Sequence, residues 1–145
     1  MKYQVGRPGR IVVARFEDRD DVLKNLSGLA KKENIRAAIF SLVGGMREGD
    51  IVVGPDKDEF PPTPVWKRLG EVHEVVGFGT IFWEGEEPKV HFHGAFGKKE
   101  MVKVGCLREM AETFLVIEAV ITEIEGVTAR RELDPVSGMV LLTLG

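Results

Sequence analysis

Residues Glu71 to Leu107 read EVHEVVGFGTIFWEGEEPKVHFHGAFGKKEMVKVGCL. Three runs rich in valine, isoleucine and phenylalanine, Glu71–Trp83, Lys89–Phe96 and Met101–Cys106, are separated by short polar links. Links this short can only reverse the chain, so the stretch predicts three consecutive strands in an antiparallel meander.

The flanks complete the outline. Arg10–Phe16 (RIVVARF) reads as a strand, with Asp18 or Asp20 offering the cap of a following helix. Val22, Leu23, Leu26, Leu29 and Ala30 recur at helical spacing, which carries that helix to about Glu33. IRAAIFSLVGG, from Ile35, reads as a buried strand ending in its glycines, and DIVVG as a short strand after it. Asp56 to Pro64 (DKDEFPPTP) is a loop, since proline lacks the ladder donor. Leu107 to Glu112 reads as a helical turn and FLVIEAVITEIE as a long strand; VTARRELD and MVLLTL close the chain around a Pro135-Val136-Ser137-Gly138 turn. The sum is an α+β fold, mainly antiparallel sheet with one principal helix packed on it, in a single domain over residues 1–145.

Composition narrows the function classes. No run of about 18 apolar residues exists to span a bilayer, and the start MKYQVGRPGR has no apolar signal core, so a soluble, cytoplasmic protein is expected. Charged residues reach 30% while Gln4, Asn25 and Asn34 are the only side-chain amides, a bias typical of thermophilic proteins. The net charge of -3 argues against a domain that holds nucleic acid by overall electrostatics. Direct DNA contact would need a local patch. Gly-Arg-Pro within VGRPGR is the core of a minor-groove AT-hook, but it lacks dense basic flanks and reads better as a turn into the first strand.

The chemistry-bearing residues cluster in the opening stretch. Side chains alternate along a strand, so His91 and His93 share a face, a common way to offer a metal two nitrogen ligands. A two-residue loop at Lys98-Lys99 would set His93 opposite Val104 and Cys106 opposite His91, bringing both histidines and the only cysteine within reach of one ion. Three ligands with a free position is the pattern of a reactive zinc site. A loop one residue longer would turn Cys106 to the other face, leaving partly exposed histidines and a buried thiol. His73 is the rival third ligand. It lies about 17 Å along its strand from the residue expected opposite His93, too far within one chain. Arg15 and Glu118, charged residues inside apolar strands, are candidates for a pocket or a subunit-interface ion pair.

The order GRIVVARFEDRDDVLKNLSGLAKKENIRAAIFSLVGG, then HEVVGFGTI, then PKVHFHGAFGKKEMVKVGCL resembles the plants-and-prokaryotes-conserved (PPC) domain family, from Gly9 to Leu142. The resemblance implies a homotrimer built on an antiparallel sheet with a packed helix. Plant relatives join the domain to AT-hooks as DNA-binding regulators, and prokaryotic members stand alone. It also implies a metal site, since many prokaryotic members carry a third histidine after paired glycines. Here Gly105 matches the second glycine, Val104 replaces the first, and Cys106 replaces the histidine. Cysteine is a good zinc ligand, so the change either preserves the site or marks its decay. Two functions remain: an assembly and partner-binding module with weak contact to DNA or DNA-associated proteins, or a zinc-dependent hydrolase with its site near a subunit boundary.

Overall fold

A computed structural model describes residues 1–145. The elements are β1 (Arg7–Glu17), α1 (Val22–Lys32), β2 (Ala37–Pro55), β3 (Pro64–Leu69), β4 (His73–Glu84), β5 (Glu87–Lys98), β6 (Met101–Glu125), β7 (Arg130–Leu133) and β8 (Val140–Thr143). Strands β1 to β6 form one antiparallel sheet in the order β1-β6-β5-β4-β2-β3, and β6 also pairs with β2. The pairings β2–β4, β4–β5, β5–β6 and β6–β2 therefore close a four-stranded ring, with β1 and β3 as extensions. The β7–β8 hairpin is separate. The expected α+β architecture with its single helix is present.

One core cluster of 20 buried residues joins ring and helix. Phe40 and Phe92 stack at 5.8 Å, and Val22, Leu26 and Ala30 bring the apolar stripe of α1 onto β5 and β6. The helix is capped by Asp21, whose carboxylate accepts from Lys24 N at 3.0 Å, and not by Asp18 or Asp20. Those two have other work. Asp20 accepts from Glu17 N at 2.9 Å, and Asp18 accepts from Leu115 N at 2.9 Å and from Arg47 at 2.6 Å. The Leu115 hydrogen bond, then Arg47, hold the Asp18 carboxyl below its ordinary range.

The structure departs from the sequence reading in the two longest strands. Gly44 and Gly45 do not end a strand; β2 runs through them to Pro55 and absorbs the DIVVG segment. At that point Gly44 opposes Ile117 while Gly45 opposes Phe114, so β6 bulges, with Leu115 at a φ of 61°. A Cβ on Gly44 would strike the Val116 carbonyl oxygen, and its φ of 143° favours glycine in any case. The glycines let two strands press together over a bulge. Leu107 to Glu112 is likewise not helical but part of 25-residue β6, because Asp50 and Glu48 of β2 hold Glu109 and Glu112 in register.

Close packing also governs the ring. Gly79 sits against the Phe40 ring and the His91 carbonyl oxygen, leaving no room for a Cβ. Replacing Gly79 with alanine overpacks the ring interior and is expected to cost about 1–3 kcal/mol. A melting temperature unchanged from the parent would show that Phe40 can move aside.

Candidate metal centre

The β5–β6 hairpin builds the site. Its loop is Lys99-Glu100, with Lys98 paired to Met101 and Lys99 at a φ of 54°. This is one residue later than a Lys98-Lys99 loop, and the register moves accordingly. His93, not His91, stands opposite Cys106, and Ala95 rather than His93 stands opposite Val104. Moving a two-residue loop by one position shifts the pairing by two, so each side chain keeps its face. Cys106 stays with the histidines.

Across β4, Phe78 opposes His93 and Thr80 opposes His91. The donor atoms of His91, His93 and Cys106 all lie within 4.8 Å of one another, so the group could hold a metal ion. The two Nε2 atoms are 3.1 Å apart, hydrogen-bonded through one N–H, with the rings at 82°. Two zinc–nitrogen bonds at a tetrahedral angle would set the nitrogens about 3.3 Å apart. The donor set and its spacing therefore fit an ion of zinc's size. Holding it would take the lone pairs of both Nε2 atoms, so the ring that donates the shared N–H would have to carry its hydrogen on Nδ1 instead.

The surroundings shape the donors. Burial, followed by the charges of Arg131, His93 and Arg108, pushes His91 down to about 4, so its imidazole is neutral at pH 7. Burial raises the Cys106 thiol, while Arg108 and Arg131 pull the other way. A metal must displace the thiol proton.

Beside the donors lies a cavity of about 460 Å3, whose wall includes His91, His93, Phe78, Thr80, Ser41 and Thr122. A second, of about 200 Å3, is lined by His91, Arg108 and Arg131 among others. The arginines escape a reading of the sequence by different routes. Arg108 is two residues beyond Cys106 on the same strand, hidden because its segment reads as a helical turn and not as a continuation of the strand. Arg131 comes from β7, whose docking beside β4 no local pattern announces; its guanidinium donates to Thr80 Oγ1 at 3.3 Å.

The remaining candidates lie elsewhere. His73 is buried, its Nδ1–H donating to the Glu71 carbonyl oxygen at 2.5 Å, five residues along β4 from Phe78. Arg15 and Glu118 are cross-strand neighbours lining a cavity of about 380 Å3, but Arg15 pairs with Glu17 at 3.3 Å.

Strand register assembles the outward face around the site. One row across the sheet runs Val13, Val120, Ser41, Phe78, His93, Cys106; the next runs Arg15, Glu118, Val43, Val76, Ala95, Val104. Six of these are exposed apolar side chains, Phe78 at 74% and Val13 at 78% the most open. The donor group sits at the end of an apolar band.

Solved structures share this architecture. A metal-containing protein from Archaeoglobus fulgidus superposes with a TM-score of 0.86 at 24% identity, covering 99% of each chain. A plant- and prokaryote-conserved (PPC) protein from Pyrococcus horikoshii gives 0.85 at 24% identity, covering 100% of this chain and 99% of its own. A Ralstonia eutropha protein described as a "putative DNA-binding protein" gives 0.77 at 23% identity over 92% and 90%. At such identities the likeness is one of fold. None of the curated proteins compared with the chain matches it. The sequence model of the Plants and Prokaryotes Conserved (PCC) domain matches residues 3–125, most of the chain, and the hairpin that carries the donors falls inside that span. The chain belongs to the PCC domain family.

Proposed function

We propose that this chain is a self-assembling, metal-binding module in which three copies pack through the outward apolar band and His91, His93 and Cys106 of each hold a zinc ion. The observation that carries this reading is the convergence of three donor atoms within 4.8 Å at the end of that band. A patch of adjacent apolar rows is rarely left to solvent, and three copies of the band grouped about a threefold axis would cover one another. The metal-containing description of the Archaeoglobus neighbour agrees. Protein purified without chelator or affinity metal should contain about one zinc per chain by elemental analysis. Metal-free protein that takes up none on titration refutes the reading.

DNA contact, suggested by the description of the Ralstonia neighbour, is a secondary property in this account. Arg68, Lys98, Lys99 and Lys103 surround a cavity of about 440 Å3 at the hairpin end. Glu48 answers Arg68 at 2.9 Å and Glu71 answers Lys98. That leaves Lys99 and Lys103 free for phosphate. Few phosphate contacts mean weak, salt-sensitive binding, so duplex DNA should be released by about 200 mM salt. Lys99→Glu with Lys103→Glu should abolish what binding there is. A complex that survives that salt, or that double change, removes this patch from the account.

The hydrolase reading is favoured by one observation, that His91 and His93 open onto the larger cavity, where three protein ligands would leave a position for substrate. Zinc there would supply Lewis acidity. Thr80, Ser41 and Thr122 offer hydroxyls to orient a polar substrate. Zinc-loaded protein that cleaves a small ester, with loss of cleavage in His93→Ala, would establish it; a slow background equal in both would dismiss it.

A further inference from the structure

Eight of the ten arginines lie within ion-pair distance of a carboxylate; the two that do not are Arg108 and Arg131. Both line the small cavity at His91. The acidic residues nearby are already engaged: Glu84 of the cavity wall is held by Lys89 at 3.1 Å, and Glu132 by Arg130 at 2.6 Å. Arg131 is partly buried, and its only side-chain hydrogen bond goes to the neutral Thr80 hydroxyl. In a chain whose net charge is -3, leaving these two without a counter-charge while every other arginine has one is a marked exception.

We propose that Arg108 and Arg131 form an oxyanion-binding subsite beside the His91/His93/Cys106 group, so that the site takes a small molecule carrying a carboxylate or phosphate. The proposal deepens the metal-site reading by naming its ligand class. Guanidinium groups are the favoured partners of both anions because their parallel N–H donors match two oxygens at once. Burial and the nearby Arg108 charge already lower the Arg131 guanidinium from its ordinary value, a cost that a bound anion relieves. Because His91 belongs to both the donor group and the cavity wall, an anion there lies next to the metal position. The cavity, at about 200 Å3, suits a small ligand or the anionic end of a longer one.

Calorimetric titration of zinc-loaded and metal-free protein with inorganic phosphate and with oxalate, at constant ionic strength in chloride, tests this. The parent should bind at least one of the two. Arg108→Gln and Arg131→Gln should each weaken that binding about tenfold or more, the loss of a charge-assisted hydrogen bond. Arg131→Lys should restore part of it, and Arg7→Gln, removing a paired surface arginine away from the site, should leave it unchanged. Zinc titration of the same variants separates the two readings. Normal zinc uptake with lost anion binding supports the subsite, and anion binding by a parent that takes up no zinc sustains the subsite while defeating the metal. No binding of either anion by a zinc-loaded parent overturns the subsite alone. Displacement of bound phosphate by duplex DNA assigns the arginines to a nucleic-acid backbone and overturns the small-molecule ligand.

Discussion

Replacing Cys106 with serine is expected to weaken zinc binding by more than about a hundredfold, beyond what loss of a supporting contact costs. Cys106 faces His93 directly across the hairpin, and its sulfur falls within 4.8 Å of both histidine nitrogens. A serine hydroxyl at this position keeps the size but not the anionic sulfur that makes cysteine a zinc ligand. Cys106→His should retain binding, because imidazole is an equally good donor and the residue already faces the pair. Competition titration of metal-free protein checks both. Equal affinity in Cys106→Ser and the parent would remove the thiol from the site and leave a histidine pair.

The second large effect concerns assembly. Val76→Glu should convert a trimer to monomers at micromolar protein while leaving the chain folded. Val76 lies mid-row between Val43 and Ala95, outward and 52% exposed, so a carboxylate there costs the isolated chain little. In a packed assembly it would be buried without a partner, a penalty of several kcal/mol at each contact. Light scattering should give three times the chain mass for the parent and the single-chain mass for the variant. A monomeric parent would reject assembly through this face, and a trimeric Val76→Glu would move the interface elsewhere.

The meander was legible because each run from Glu71 to Cys106 is rich in valine, isoleucine and phenylalanine and its links are too short to do anything but turn. The site followed from parity. His91, His93 and Cys106 stay on one face in either two-residue register, so the loop placement could be wrong by a residue and the grouping right. What failed was continuity. Arg108-Glu109-Met110-Ala111-Glu112 is composed of good helix formers, yet pairing with β2 holds it extended, and positive φ at Met110 and Leu115 takes up the misfit. Strand β3 carries Trp66, Lys67 and Arg68 at an edge, where neither alternation nor burial marks it. The approach of Arg131 to the site depends on how the last hairpin docks, a tertiary fact no spacing encodes.

If His91, His93 and Cys106 bind one metal ion together, the ion must have one sulfur and two imidazole neighbours. Zinc-edge X-ray absorption of the zinc-saturated protein tests it most directly. The expected spectrum has one sulfur neighbour at about 2.3 Å with nitrogen or oxygen neighbours at about 2.0–2.1 Å, including imidazole scattering. A spectrum without sulfur, or one showing only oxygen neighbours, would contradict it.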